Sequence, residues 1–184
     1  MFSTERLTLR ALKDSDFEKL HTLWNTASVQ RTLSFDFTVP VSQSQHNERL
    51  PKLVEMSTLF AVIETKEGND FVGFANLWKL DAKNRSLRYG TALMPQFWGK
   101  GYATEVLRFM LKYAFVSLGI HRVQLNVVSG NLAAIAVYKK VGFVEEGRLR
   151  DAIWVDGHWE DEMWMGILQH EWLARNEEGS SDPR

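Results

Sequence analysis

The sequence contains no cysteine. Disulfides, thiolate metal sites and a cysteine nucleophile are therefore excluded, and a reducing compartment is favoured. Neither sign of charge dominates: 22 Lys and Arg stand against 23 Asp and Glu, a formal net charge of −1. That leaves no electrostatic case for a nucleic-acid partner. No apolar run approaches the roughly 20 residues of a membrane span. The opening Met1-Phe-Ser-Thr-Glu-Arg lacks the shape of a signal peptide, because charge enters at once. The expectation is a cytoplasmic protein without a membrane partner. Five histidines (His21, His46, His121, His158, His170) show no metal-ligand spacing, so no metal is expected. What is present is ordinary: 184 residues, 45 % hydrophobic and 24 % charged, enough for one domain with a sizeable core.

The chain punctuates itself. Arg6 to Leu12 alternates as a strand, with Leu7, Leu9 and Ala11 on one face. Ser15-x-x-Glu18 reads as a capping box, and a helix runs to about Asn25. Residues 26–40 are the least regular. A second helix spans about Ser42 to Met56, interrupted or divided by Pro51. Thr58–Thr65, Phe71–Leu80 and Ser86–Met94 read as an antiparallel meander of three strands. Ala103, Leu107, Met110, Leu111, Ala114 and Leu118 make a helical stripe closed by Gly119. Val123 to Val127 is a strand, and Asn131 opens a short helix closed by Gly142. From Val144 two strands flank Asp156-Gly157, a strong hairpin signal. The last apolar element is Met163 to Leu173. Residues 1–175 form one domain, and the polar stretch 176–184 is expected to be a disordered tail. The fold class is α/β (α+β): a mixed, mostly antiparallel sheet of six or seven strands flanked by helices.

The stretch Pro95-Gln96-Phe97-Trp98-Gly99-Lys100-Gly101-Tyr102-Ala103-Thr104 joins a strand to a helix N-terminus. From Pro95 to Gly101 no Ser, Thr, Asp or Asn is present to cap that helix, which leaves its first-turn N–H donors open to an anion. A nucleotide P-loop is excluded, because Met94 stands where its first glycine is needed and Gly101 follows Lys100. The dinucleotide pattern fails at Thr104. The remaining spacing, Gln96-x-x-Gly99-x-Gly101 followed by Tyr-Ala, resembles the pyrophosphate loop of the GNAT superfamily of acetyl-CoA-dependent N-acetyltransferases. About thirty residues on, Asn131-Leu-Ala-Ala-Ile-Ala-Val-Tyr138-Lys-Lys-Val-Gly142-Phe143 looks like the second half of that signature. The run from Val144 through Asp156-Gly157-His158-Trp159, and the ending Gln169 to Leu173, resemble the branch of ribosomal-protein N-terminal (RimJ/RimL-type) and spermidine acetyltransferases.

The resemblance implies direct transfer of an acetyl group from acetyl-CoA to a primary amine: a protein N-terminus, a polyamine or a small amine. It implies that backbone near Ala92, Leu93 and Met94 holds the pantetheine arm. The loop, with Trp98, Gly99, Lys100, Gly101, Tyr102, Ala103 and Thr104, would hold the pyrophosphate. Tyr138 would be the general acid for the departing thiolate and would also border the cofactor, with Asn131 a helix cap, a cofactor contact or both. A phenol of ordinary pKa near 10 is protonated at neutral pH and suits that task. A general base is not legible. Many members carry a glutamate where this chain has Arg88; Glu64, Asp151, Glu160 and Asp161 are candidates. A two-residue turn would pair Asp151 with Glu162 and Ala152 with Asp161. Trp154 and Trp159 would be cross-strand neighbours, packing on the core or at an interface of a homo-oligomer. Other readings are a non-catalytic acyl-CoA-binding module or sensor, and an acyltransferase using another acyl-CoA.

Overall fold

The computed structural model describes residues 2–33 and 35–178. Among them an eight-stranded sheet lies between two helical layers. The strands are β1 (Phe2–Ser3), β2 (Leu7–Arg10), β3 (Ser57–Thr65), β4 (Phe71–Asp81), β5 (Ser86–Leu93), β6 (Arg122–Val128), β7 (Val144–Val155) and β8 (His158–Leu168). Their order across the sheet is β1-β2-β3-β4-β5-β6-β8-β7. Every neighbouring pair is antiparallel except β5 and β6. The count exceeds the expected six or seven because β1, two residues long, adds an edge; Phe2 there packs edge-on against Phe109 and Tyr113.

The helices are α1 (Phe17–Trp24), α2 (Ala27–Leu33), α3 (Gln43–Glu55), α4 (Tyr102–Lys112), α5 (Leu132–Val141) and α6 (Gln169–Glu178). The sheet carries a separate apolar cluster on each face. Leu7, Ile63, Ala75, Leu87 and Val123 meet Leu107, Met110 and Leu111 of α4. Phe74 and Ala92 meet Leu20, Leu23, Val29 and Leu50 of α1, α2 and α3. This explains why β4 is apolar on both sides: it is central and covered twice.

Four expectations change. The Ser15-x-x-Glu18 box does not form; Asp16 takes that place, its carboxylate accepting the Lys13 N–H at 2.9 Å. α2 lies in the stretch that looked irregular. Its Val29 is buried, and the Gln30 amide holds the chain on both sides by bonding the Trp24 and Val39 carbonyls and the Val39 N–H. α3 passes through Pro51 unbroken, capped by Ser42 and Gln45 and anchored by buried His46 and Leu50. Finally, Met163–Leu173 divides: β8 ends at Leu168, and α6 begins at Gln169, pressing Trp172 against Phe115 at 5.6 Å. α6 continues to Glu178, so the first three residues of the expected tail are helical, while 179–184 lie outside the described residues.

Asp16 is fully buried and bonded to both outer nitrogens of Arg10 at 2.6 and 2.8 Å; Arg10 also bonds Glu64 on β3. Burial alone would push this carboxyl up; the Arg10 guanidinium and the Lys13 N–H outweigh it and hold it below the usual carboxylate range. The carboxylate that closes the turn before α1 is thus tied to β2 and, through Arg10, to β3. Asp16→Ala, which leaves Arg10 half-paired, is expected to cost about 3 kcal/mol in urea unfolding. A depressed pKa stabilises the fold above the carboxyl's unfolded value near 4, so this contribution fades as pH falls below about 4 in the wild type and is absent in the variant.

Candidate active site

β5 and β6 pair in parallel only at Ser86 with Arg122, Leu87 with Val123 and Arg88 with Gln124. Beyond Arg88 they part. A cavity of about 480 Å³ lies along the β5 edge past that point. One wall is the β5 edge, with Tyr89, Thr91, Ala92 and Leu93. A second is the glycine loop and the start of α4, with Phe97, Trp98, Gly99, Gly101, Tyr102, Ala103 and Thr104. α5 closes a third side with Asn131, Ala134 and Tyr138, and α2 closes the far end with Val29, Thr32 and Leu33.

The two glycines have a clear physical reason. Gly99 and Gly101 both adopt positive φ, +72° and +80°, and a Cβ at Gly99 would point into open space. Gly101 is the N-cap of α4 and supplies no side-chain acceptor. The first-turn N–H groups of Tyr102, Ala103 and Thr104 have no carbonyl earlier in the helix to bond, and the helix dipole adds partial positive charge there. The loop is braced from outside. The Arg6 guanidinium bonds the Lys100 carbonyl at 3.0 Å and Glu105 at 2.8 Å, and lies 4.7 Å above the Tyr102 ring. This brace was not read from the sequence.

The remaining expected residues divide. Asn131 accepts the Ala134 N–H at 3.2 Å and borders the cavity, so it caps α5 and lines the site at once. The Trp98 indole donates to the Leu93 carbonyl at 2.8 Å. Lys100 stays outside, its ammonium 5.2 Å from the Phe97 ring. Met94 is not in the lining, and its N–H is committed to the Val72 carbonyl at 2.8 Å. Strand alternation then aims the Ala92 N–H at β4 as well, leaving the backbone edges of Thr91 and Leu93 toward the opening. Tyr138 is half-buried against Phe143, and burial pushes its phenol up to about 12.

None of the four base candidates lines the cavity. Glu64 is paired with Arg10. Glu160 is held by Ser129 and His158, and Asp161 by Arg148 and the Asp151 N–H. Asp151 is exposed at a bulge with φ +51°; the bulge also cancels its expected pairing, since β7 and β8 shift register between Leu149 and Ile153. Trp154 and Trp159 do pair, ring centres 5.1 Å apart, but stay 53 % and 56 % exposed rather than entering the core. Arg88 lies on the opposite sheet face from Leu87 and Tyr89, its guanidinium 5.9 Å from the Trp78 ring and 4.8 Å from that of Trp164. Among the described residues there is no group of three His, Cys, Asp or Glu side chains that could hold a metal ion, and no helix long and apolar enough to cross a membrane.

This geometry has relatives. The family model "Acetyltransferase (GNAT) domain" matches residues 6–144. The chain belongs to the GNAT acetyltransferases. The spermidine N(1)-acetyltransferase of Vibrio cholerae is 30 % identical over 174 residues, covering 94 % of this chain and 98 % of the relative. YdaF of Bacillus subtilis, provisionally named a ribosomal N-acetyltransferase, is 30 % identical over 173 residues, 91 % of this chain and 94 % of that one. A crystal structure of the Vibrio cholerae spermidine enzyme in complex with CoA and spermine superposes with a TM-score of 0.81 at 29 % identity, over 91 % of this chain and 98 % of that one. The protein is an N-acetyltransferase that takes its acetyl group from acetyl-CoA and gives it to an amine.

Tyr89 and Tyr138 are both held neutral above the ordinary phenol range by burial, Tyr89 further so because of Tyr138. A raised folded-state pKa gives stability that is complete below the unfolded value near 10 and is lost as pH climbs through the folded one. The melting temperature of this GNAT domain is expected to drop between pH 10 and about 12. Tyr138→Phe should make that drop shallower in thermal scans.

Proposed function

We propose that this enzyme passes the acetyl group directly from thioester to amine within the opening between β5 and β6, with Tyr138 as the general acid. The observation that carries the reading is that Tyr138 and the uncapped first turn of α4 border one cavity. The anionic end of acetyl-CoA fits the N–H groups from Gly99 to Thr104, where the positive φ of Gly99 and Gly101 would strain any other residue. The pantetheine amides fit the backbone edge of Thr91 and the Leu93 N–H, as an added strand would, with Ala92, Trp98 and Asn131 as walls. The amine nitrogen forms the C–N bond and gives its surplus proton to water, the C–S bond breaks, and the phenol gives its proton to sulfur and is reprotonated from water. A phenol near 12 remains protonated throughout the physiological range. With no carboxylate in the lining, the amine sheds its proton to water before attack. Acyl transfer from a thioester to a neutral amine needs no metal. A binding module or sensor would have no use for a proton donor at this end of the cavity.

The acceptor enters past α2, because the glycine loop takes up the opposite end. Its sheet face carries Arg88 between two tryptophans, where the resemblance puts a carboxylate. A spermidine-like polycation meets the wrong charge there, so we favour an amine of low positive charge, a protein N-terminus or a small monoamine. The absence of cysteine supports a cytoplasmic place for the enzyme, and the exposed Trp154–Trp159 pair is the surface we assign to contact with a second copy.

Tyr138→Phe is expected to lower kcat about tenfold or more while CoA affinity changes little. Unchanged turnover in a thiol-release assay would remove Tyr138 from the mechanism. For the acceptor, Arg88→Glu should raise kcat/KM for spermidine relative to an N-terminal peptide by about tenfold, since the reversed charge is worth 1 to 4 kcal/mol at contact distance. A wild-type preference for spermidine that the substitution leaves untouched would refute the charge argument.

A further inference from the structure

Tyr89 is the residue of the cavity that the reaction just described leaves without a task. It is only 5 % exposed, yet its hydroxyl has no hydrogen-bond partner. Thr91, two residues along the same strand, is near enough to act on the phenol, but the Thr91 hydroxyl gives its own proton to the Phe74 carbonyl. An unpaired buried hydroxyl costs stability, and a phenylalanine would fill the same space without that cost. The position is also specific. Tyr89 is the first β5 residue past Arg88, the last position at which β5 pairs with β6, so its ring stands where the sheet opens. It lines the same cavity as Tyr138, and the two phenols are close enough that charge on one opposes charge on the other.

We propose that Tyr89 is a second catalytic hydroxyl: it donates a hydrogen bond to the thioester carbonyl oxygen as that oxygen gains charge. The proposal rests on Tyr138 serving as the acid of the same site. The division of labour is chemical. The amine nitrogen bonds the carbonyl carbon and loses a proton to water. The C–S bond breaks, and Tyr138 protonates the sulfur and is reprotonated from water. Tyr89 keeps its proton throughout, since burial holds it neutral, and its hydroxyl finds the missing partner only when substrate is bound. A preorganised neutral donor in a water-poor cleft is the kind of group that stabilises an oxyanion.

The test compares Tyr89→Phe, Tyr138→Phe and wild type by three measurements: melting temperature, CoA affinity by calorimetry, and thiol release from acetyl-CoA. Release is followed with spermidine, with an alanine-initiated peptide, and with water alone as acceptor. The last arm supplies a rate even where neither amine is accepted. Tyr89→Phe should keep or raise the melting temperature, hold CoA affinity within about twofold, and lower turnover about 10- to 100-fold. Turnover within twofold of wild type overturns the proposal. So does a lower melting temperature with turnover lost through weakened CoA binding, which marks a structural role. If Tyr138→Phe is impaired and Tyr89→Phe is not, only Tyr89 loses its role. If neither is impaired, the acid assignment falls with it.

Discussion

The site depends on a ladder that stops. β5 and β6 are the one parallel pair of the described sheet, and they share three register positions before separating at Arg88 and Gln124. Past that point the inner edge of β5 has lost its neighbour, inside a domain whose other strands are paired. Backbone groups left without partners in a buried setting are costly, so the parted strands are complete only with something between them. An extended, amide-bearing chain such as pantetheine meets that requirement. Beside that edge lies the cavity, with α4 and α5 on one side and α2 at the other end.

What keeps the strands apart is built around them. The Trp98 indole clamps the Leu93 carbonyl, and the Met94 N–H is tied back to β4. α4 and α5 are anchored in the larger apolar cluster, through Val106, Leu107, Met110 and Ile135. Arg6 ties the loop to the first strands by bonding the Lys100 carbonyl and Glu105 together. That last arrangement matters because Glu105 lies in the first turn of α4, near the expected anion. Burial favours its neutral form, but Thr4 and Arg6 outweigh this and hold it ionised, while Arg6 neutralises the charge locally. The helix dipole, not the carboxylate, then sets the field at Gly101.

On the other face the chain departs from its family's pattern. A glutamate is the expected neighbour of the reacting centre, and Arg88 stands there instead, stacked on tryptophans. Within the lining the polar equipment is three phenols (Tyr89, Tyr102 and Tyr138), the Trp98 indole, Thr side chains, Asn131 and Lys140. No carboxylate is among these lining residues.

Much of this was legible along the chain. Gly99 and Gly101 at a strand-to-helix junction without a capping side chain, and Asn131 followed by Tyr138, are local facts. Backbone sterics and helix-end hydrogen bonding decide them within a few residues, so the loop and the two helix starts could be read from spacing, and the family resemblance followed from their motifs. The hairpin at Asp156-Gly157 was readable for the same reason. Three things were not. α2 has little periodicity of its own and is held by Gln30 bonding to Trp24 and Val39, contacts six and nine residues away. The register of β7 on β8 slips at a bulge that only the full sheet imposes, and with it Asp151 lost its expected partner. Above all, the importance of Tyr89 is invisible in sequence, where it is one aromatic residue in an alternating strand. Its meaning comes from long-range packing, which buries the ring, opens the sheet beside it, and leaves its hydroxyl buried at the edge of Tyr138's cavity without a hydrogen bond. Local chemistry fixed which groups the chain carries; only the tertiary structure decided which were left unsatisfied, because satisfaction is a property of neighbours distant along the chain.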